Sequence, residues 1–330
     1  MRICVFGAGA VGGHLAARLS AAGNEVSVIA RGPTLEAVRK NGLLLHTGDE
    51  QIRGQVKASD NASDLGRQDA VIVTLKANGL GAFAESAAPL LGPDTAVVFA
   101  QNGIPWWYGI GLDASKRAAP DLSRLDPGGA LAKAIAPGNV VGGVVYSANE
   151  VLEPGVIRNN VPGNNMLVIG EIDDRDSPRI RQLRQVLEKT GMASPPNADI
   201  RLSVWSKLIQ NLGSSTLCLL TGGNIAEVRS SPELMPVLKN LAEEGRAIAQ
   251  AYGFALEKAP ARPGGGQTSG LITHKPSMLQ DYERGRPLEV EAQLMCTLNF
   301  GRAAGVPVPT LETLIPLAAY KAAFKGLYTP

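Results

Sequence analysis

The chain has 330 residues, of which 45% are hydrophobic and 19% charged, a balance that excludes bulk disorder and leaves room for two cores. With 32 basic residues against 30 acidic ones, the net charge of +2 gives no support for binding nucleic acid or an anionic membrane surface. Cys4, Cys218 and Cys296 lie far apart, and His14, His46 and His274 form no cluster, so neither a disulfide framework nor a metal site is expected.

Residues 3–6 are a short apolar run that reads as a buried parallel strand, broken at Gly7. Gly7-Ala8-Gly9-Ala10-Val11-Gly12 then opens a stretch of helical periodicity, Gly23-Asn24 stops it, and residues 25–30 read as a second strand. Strand, Gly7-x-Gly9-x-x-Gly12, helix and strand in this order form the dinucleotide-binding fingerprint in its required context. Gly7 permits the tight turn, Gly9 lets backbone approach a pyrophosphate, and Gly12 lets helix and strand pack closely. The helix N-terminus offers free N–H groups to the anion. Residues 7 to 12 are therefore candidate cofactor ligands. A flavin site and an empty glycine-rich turn are the alternatives. The second strand ends in Arg31, 19 residues after Gly12, where an NAD site would place Asp or Glu for the ribose 2′-hydroxyl. A planar guanidinium suits a 2′-phosphate, so NADPH/NADP is the expected cofactor. A solvated surface arginine is the plainer alternative.

Residues 34–40 read as a helix, and residues 43–46 with 55–58 as a peripheral hairpin. The apolar strand 70–75 ends in Lys76-Ala77-Asn78, a helix follows over 80–91, and the next strand, 95–100, ends in Gln101-Asn102-Gly103. Ligands in open α/β sheets bind outside the carboxyl ends of the strands, which sets Lys76 and Asn102 at the crevice of the Gly7 loop. Asn-Gly is also a common turn, whereas lysine is a poor turn former. Residues 104–138 read as an irregular loop whose Trp106 and Trp107 either anchor it or face a substrate pocket. Residues 140–147, 155–159 and 166–170 read as strands completing the sheet, and 177–189 as an amphipathic helix. Pro195-Pro196-Asn197 breaks the chain, so the domains are expected at 1–197 and 198–330.

Beyond the break the pattern is helical: 199–220 with Asp199 as N-cap, then 232–251 closed by Gly253. A Pro/Gly-rich loop over 259–270 precedes a short helix over 277–284, in which Ser277 and Gln280 match a capping box. A final long helix is expected from Pro287 to Gly305. The fold class is therefore α/β, an N-terminal Rossmann-type dinucleotide-binding domain followed by an all-helical C-terminal domain. The chain passes directly from Arg2 into the first strand, and no apolar run is long enough to cross a bilayer, so a cytoplasmic protein is expected. A homodimer is compatible with the sequence.

Lys207 and Asn211 are four apart and share a helix face. Taken singly, a helix lysine is usually solvated, Ser277 is usually a cap, and a carboxylate such as Glu289 near a helix start favours the dipole whatever its function. The combination is more specific. Gly7-x-Gly9-x-x-Gly12, Thr74-Leu75-Lys76-Ala77, Gln101-Asn102-Gly103, Trp205-x-Lys207-Leu208-x-x-Asn211 and Pro276-Ser277-Met278-Leu279-Gln280-Asp281, with Glu289 following, closely resemble the ketopantoate reductase (2-dehydropantoate 2-reductase) family over nearly the whole chain.

That resemblance implies reduction of an α-keto acid by NADPH, with ketopantoate going to pantoate in pantothenate biosynthesis. It implies Lys207 as general acid, Glu289 as the partner of a substrate hydroxyl, and Ser277 and Asn211 as substrate contacts. Asn102 and Lys76 would line the cofactor side, Asn102 also reaching the substrate, and Arg31 would meet the 2′-phosphate. The types suit the reaction, because hydride delivered to a ketone leaves charge on oxygen that an ammonium can stabilise and then protonate. The sequence departs from the family in three places, one of them the Trp106-Trp107-Tyr108 loop and the insertion after it, which are longer than in compact members. Ser215 occupies the substrate-contact position, eight residues after the lysine, where the family usually has a second asparagine, and Leu294-Met295 replace a frequent Asn-Gly. The alternatives are a related Rossmann-plus-helical dehydrogenase acting on another branched keto acid and a non-catalytic NADPH-binding regulator.

Overall fold

The computed structural model describes residues 1–260 and 275–330, so most of the Pro/Gly-rich loop and His274 lie outside the described residues. The chain forms two compact units. The first contains Met1–Gln101 and Gly128–Ile200, and the second contains Asn102–Pro127, Arg201–Ala259 and, of the described residues, 275–330. Among the described residues no helix is long and apolar enough to cross a membrane.

In the first unit, β1 (Arg2–Phe6), α1 (Ala10–Ala21) and β2 (Glu25–Ile29) follow the glycine fingerprint. They are followed by α2 (Gly32–Asn41), β3 (Leu43–Thr47), β4 (Glu50–Gly54), β5 (Lys57–Ser59), β6 (Ala70–Val73), α3 (Leu80–Ser86) and β7 (Ala96–Ala100). After the excursion into the second unit come α4 (Ala130–Ala134), β8 (Val140–Tyr146), β9 (Asn149–Glu153), β10 (Val156–Asn159), β11 (Met166–Glu171) and α5 (Pro178–Glu188). The main sheet has the order β11-β8-β7-β6-β1-β2-β5, parallel throughout except for β11. The central strands are apolar along their length because both faces are covered.

A second, four-stranded sheet has the order β4-β3-β10-β9. It packs on the far side of α1 from the main sheet, which is why that helix is so rich in small residues. A Cβ at Gly13 would lie 2.5 Å from Ile157 Cδ1, and one at Gly54 would lie 2.7 Å from Ala17 Cα. Two expectations are corrected here. The partner of β3 is β4 rather than residues 55–58, because Thr47 and Glu50 pair directly across a turn in which Gly48 takes φ +60. Residues 57–59 instead extend the main sheet beside β2, and β10 joins the second sheet rather than completing the first.

The second unit is helical: α6 (Ile200–Thr221), α7 (Ile225–Ser230), α8 (Leu234–Ala251), α9 (Ser277–Glu283), α10 (Cys296–Ala304) and α11 (Pro309–Phe324). Residues 102–127, which the sequence division placed with the nucleotide domain, pack in this unit. The reason is an aromatic core in which the Tyr108 ring meets Trp205, Phe254 and Phe300 edge-on. Trp205 Nε1 donates to the Tyr108 hydroxyl at 2.8 Å, and Tyr252 donates to the Phe300 carbonyl at 3.2 Å. Helices α6 and α8 approach closely where Gly213 meets Leu238 and Gly245 meets Ile209 and Leu212.

Candidate active site

The Gly7 loop has the geometry of an anion cradle. Gly7 takes φ +107, and a Cβ there would lie 2.9 Å from Leu75 Cδ2. A Cβ at Gly12 would fall 1.8 Å from the Gly7 carbonyl oxygen and 2.5 Å from Thr74 Oγ1, so no side chain fits. At Gly9 the same construction meets nothing within 4 Å. Gly9 is the N-cap of α1 and supplies no side-chain cap, so the first-turn N–H groups stand beside open space. Thr74 Oγ1 donates to the Gly7 carbonyl at 2.7 Å and thereby ties the loop to the end of β6. Thr74 opens the Thr74-Leu75-Lys76-Ala77 motif, and its β-branched hydroxyl at the end of an apolar strand is the sequence signal for this tie.

Parallel register places the other cofactor-side candidates at one edge of the sheet. Phe6 pairs with Ile29 on one side and Val73 on the other, and Val73 pairs with Phe99. The residues after each strand (Gly7, Arg31, Lys76 and Gln101) therefore leave the sheet in the same direction. Arg31 is exposed and is the N-cap residue of α2. Lys76 is half-buried and precedes a tight turn closed by the Gly79 N–H on its carbonyl at 2.8 Å. Gln101 Nε2 donates to the Leu75 carbonyl at 3.2 Å, linking two strand ends.

In the second unit, Lys207, Asn211 and Ser215 form one stripe of α6 at four-residue spacing. Lys207 and Asn211 are half-buried, whereas Ser215 is buried. Ser277 is exposed at the first position of α9. The expected capping box is absent: Pro276 is the N-cap, and Gln280 Nε2 donates to the Lys275 carbonyl at 2.9 Å. Asn102 is half-buried and leads into Gly103, at φ +87.

Glu289 is half-buried, and its surroundings correct the expectation of one long helix from Pro287. Residues 286–289 are non-helical, and the chain then forms a π-helical turn, Glu291–Met295, before α10 begins. The Cys296 N–H bonds to Glu291 O, five residues back. Neighbouring segments hold this turn. The Ile104 N–H donates to the Ala292 carbonyl at 2.8 Å, and the Leu288 N–H donates to the Leu327 carbonyl at 2.8 Å. Arg124 Nε and the Tyr328 hydroxyl both donate to Glu291 Oε2, at 2.8 and 2.6 Å. Burial, followed by the adjacent Glu291 carboxylate, pushes the Tyr328 phenol up, so it remains a donor.

Trp107 and Tyr108 are fully buried and Trp106 is buried, so the anchoring role holds for this segment. Its main partner, Arg201, carried no motif. The Arg201 side chain is buried, donates through Nε to the Tyr108 carbonyl at 2.8 Å and through Nη2 to the Ile110 carbonyl at 2.5 Å, and lies over the Trp107 ring. A buried guanidinium demands such partners.

Comparison with known proteins agrees along the whole chain. The profile of ketopantoate reductase PanE/ApbA matches residues 3–174, and that of the ketopantoate reductase PanE/ApbA C terminal matches residues 199–322. The chain is 38% identical to 2-dehydropantoate 2-reductase of Mesorhizobium japonicum over 332 positions, covering 100% of each. A Ralstonia solanacearum MolK2 crystal structure with a provisional ketopantoate reductase name superposes with a TM-score of 0.87 at 35% identity, covering 99% of each chain. D-mandelate dehydrogenase, solved with NADH and anilino(oxo)acetate, shares the fold at a TM-score of 0.81 and 20% identity, over 99% of this chain and 100% of that one.

Proposed function

Because this chain belongs to the ketopantoate reductase family, we propose that it reduces an α-keto acid to a 2-hydroxy acid with NADPH, the substrate being 2-dehydropantoate (ketopantoate). Residues 8 to 12 hold the pyrophosphate at the N-terminus of α1, where the space beside Gly9 and the crowding at Gly7 and Gly12 fit a group bound by backbone alone. Arg31 binds the 2′-phosphate, and Lys76 and Asn102 line the cofactor side. When bound, the cofactor supplies the hydride.

The rest of the chemistry belongs to the second unit. Lys207 Nζ stabilises the charge that develops on the keto oxygen and donates the proton that completes the alcohol. Glu289 accepts a hydrogen bond from the substrate hydroxyl, and Asn211, Ser215 and Ser277 contact the substrate. The observation that carries the reading is that Lys207, Asn211 and Glu289 are all half-buried in one unit. A nucleotide sensor needs neither the lysine nor the carboxylate. A cytoplasmic location accords with three buried free cysteines in an enzyme that draws on NADPH.

The test is NADPH oxidation over a panel of branched α-keto acids that includes ketopantoate and its deoxy analogue, α-ketoisovalerate extended by one methyl. With Trp107 enclosed in the core, recognition falls to the polar groups, and a site that hydrogen-bonds a hydroxyl discriminates strongly against its absence. The hydroxylated compound should be favoured by at least ~100-fold in kcat/KM. Comparable rates would mean that the natural substrate is another keto acid.

A further inference from the structure

We propose that Gln293 is the positioning residue that aims the Glu289 carboxylate at the substrate hydroxyl. The proposal rests on the reading of Glu289 given above. Gln293 Nε2 donates to Glu289 Oε2 at 3.1 Å, and the Gln293 backbone N–H donates to the Glu289 carbonyl at 3.1 Å. One residue thus holds Glu289 at both its main chain and its side chain.

The environment makes this more than a surface contact. Gln293 is only 3% exposed, and burying a primary amide is costly unless its donors are used. An aliphatic side chain would fill this apolar turn at lower cost, since Ala292 and Leu294 on either side are buried without polar groups. The turn itself is fixed from three sides. Ile104 holds Ala292, Arg124 and Tyr328 hold Glu291, and Leu327 holds Leu288. The Gln293 amide is therefore a donor mounted on an immobile support, and the carboxylate it meets has one oxygen oriented by it. A carboxylate held this way keeps its acceptor lone pairs in one direction, which is what reading a single hydroxyl requires. A flexible glutamate would accept from water as readily as from substrate.

The experiment compares Gln293→Met, which keeps the volume and removes the donor, with Gln293→Glu, which keeps the shape and opposes one carboxylate with another. Steady-state kinetics are measured for ketopantoate and for its deoxy analogue, with Glu289→Gln as reference and with melting temperature and NADPH affinity recorded for each variant. Gln293→Met should raise KM for ketopantoate by ~10-fold, the worth of one hydrogen bond to a charged group. It should leave kcat and the kinetics of the deoxy analogue close to those of the parent, so that discrimination narrows. Gln293→Glu should narrow it at least as far, and serves alone if Gln293→Met does not fold. Unchanged discrimination in a folded Gln293 variant, or equal losses on both substrates, overturns the proposal while Glu289→Gln still abolishes the preference. If Glu289→Gln leaves the preference intact, the reading of Glu289 fails and the proposal fails with it.

Discussion

Gly103 lies so close to Ala292 that a Cβ on the glycine would stand 2.6 Å from the Ala292 carbonyl oxygen. The same carbonyl accepts the Ile104 N–H at 2.8 Å. The Asn102-Gly103 turn and the π-helical turn after Glu289 are thereby keyed together within the second unit. Gly103 also takes φ +87, which a side chain resists. Gly103→Ala therefore meets both a steric and a conformational barrier and should destabilise the protein by roughly 2–4 kcal/mol. It should also lower kcat/KM, because Asn102 and Glu289 lose their common support. Denaturant unfolding and steady-state kinetics on one preparation check both effects, and a variant with parental stability would show that the turn yields easily.

Cofactor choice is expected to depend on Arg31. Its exposed position after β2 lets a 2′-phosphate gain a charge-assisted pair without displacing a buried partner. Arg31→Ala should weaken NADPH by ~1–3 kcal/mol and leave NADH nearly unchanged. Titration of both nucleotides against both proteins is the measurement; equal use of the two by the parent would show that Arg31 does not select the cofactor.

Lys207→Ala should reduce turnover ~100- to 10,000-fold, the usual span for a positioned proton donor, with NADPH affinity unaltered. Lys207 sits one turn from Asn211 on a helix packed against α8, and the melting temperature recorded beside the kinetics separates a loss of folding from a loss of turnover. Single-turnover kinetics separate the proton-transfer role from binding. A loss of only a few-fold would show that Lys207 is not the proton donor.

Acid sensitivity should come in part from His14. This side chain is enclosed on α1, where Nε2 accepts from Arg18 Nε at 2.9 Å. Burial, reinforced by the Arg18 charge, pushes the imidazole down to about 3 from its ordinary value of 6.5. The unfolded chain therefore binds a proton below pH 6.5 that the folded chain refuses until about pH 3, and stability falls as the pH drops through that window. Between neutrality and pH ~4.5 this one group should cost roughly 2–3 kcal/mol. His14→Gln keeps an acceptor for Arg18 and removes the titration. Its urea midpoint should fall less than the parent's over the same range, and parallel pH dependences would exclude His14 as a source.

The first thirty or so residues were legible because their code is local. Each of Gly7, Gly9 and Gly12 answers a constraint set within a few residues of itself, and Arg31 follows from where β2 must end. The same holds for the Lys207–Asn211–Ser215 stripe, since helical periodicity alone aligns it. What the sequence could not determine was which distant partner a segment chooses. Residues 57–59 and 156–159 have strand character, yet their sheets are settled by which edge is free and by how α1 packs between the two layers. Within the irregular stretch 104–138, the residues up to Pro127 pack in the other unit because the aromatic core around Trp205 and the Arg201 guanidinium hold them there. The π-helical turn had no sequence signature, because its carbonyl at Ala292 and its carboxylate at Glu291 are held by groups far away in the chain. Local propensity sets which elements form, whereas long-range packing and the satisfaction of buried polar groups decide where they go.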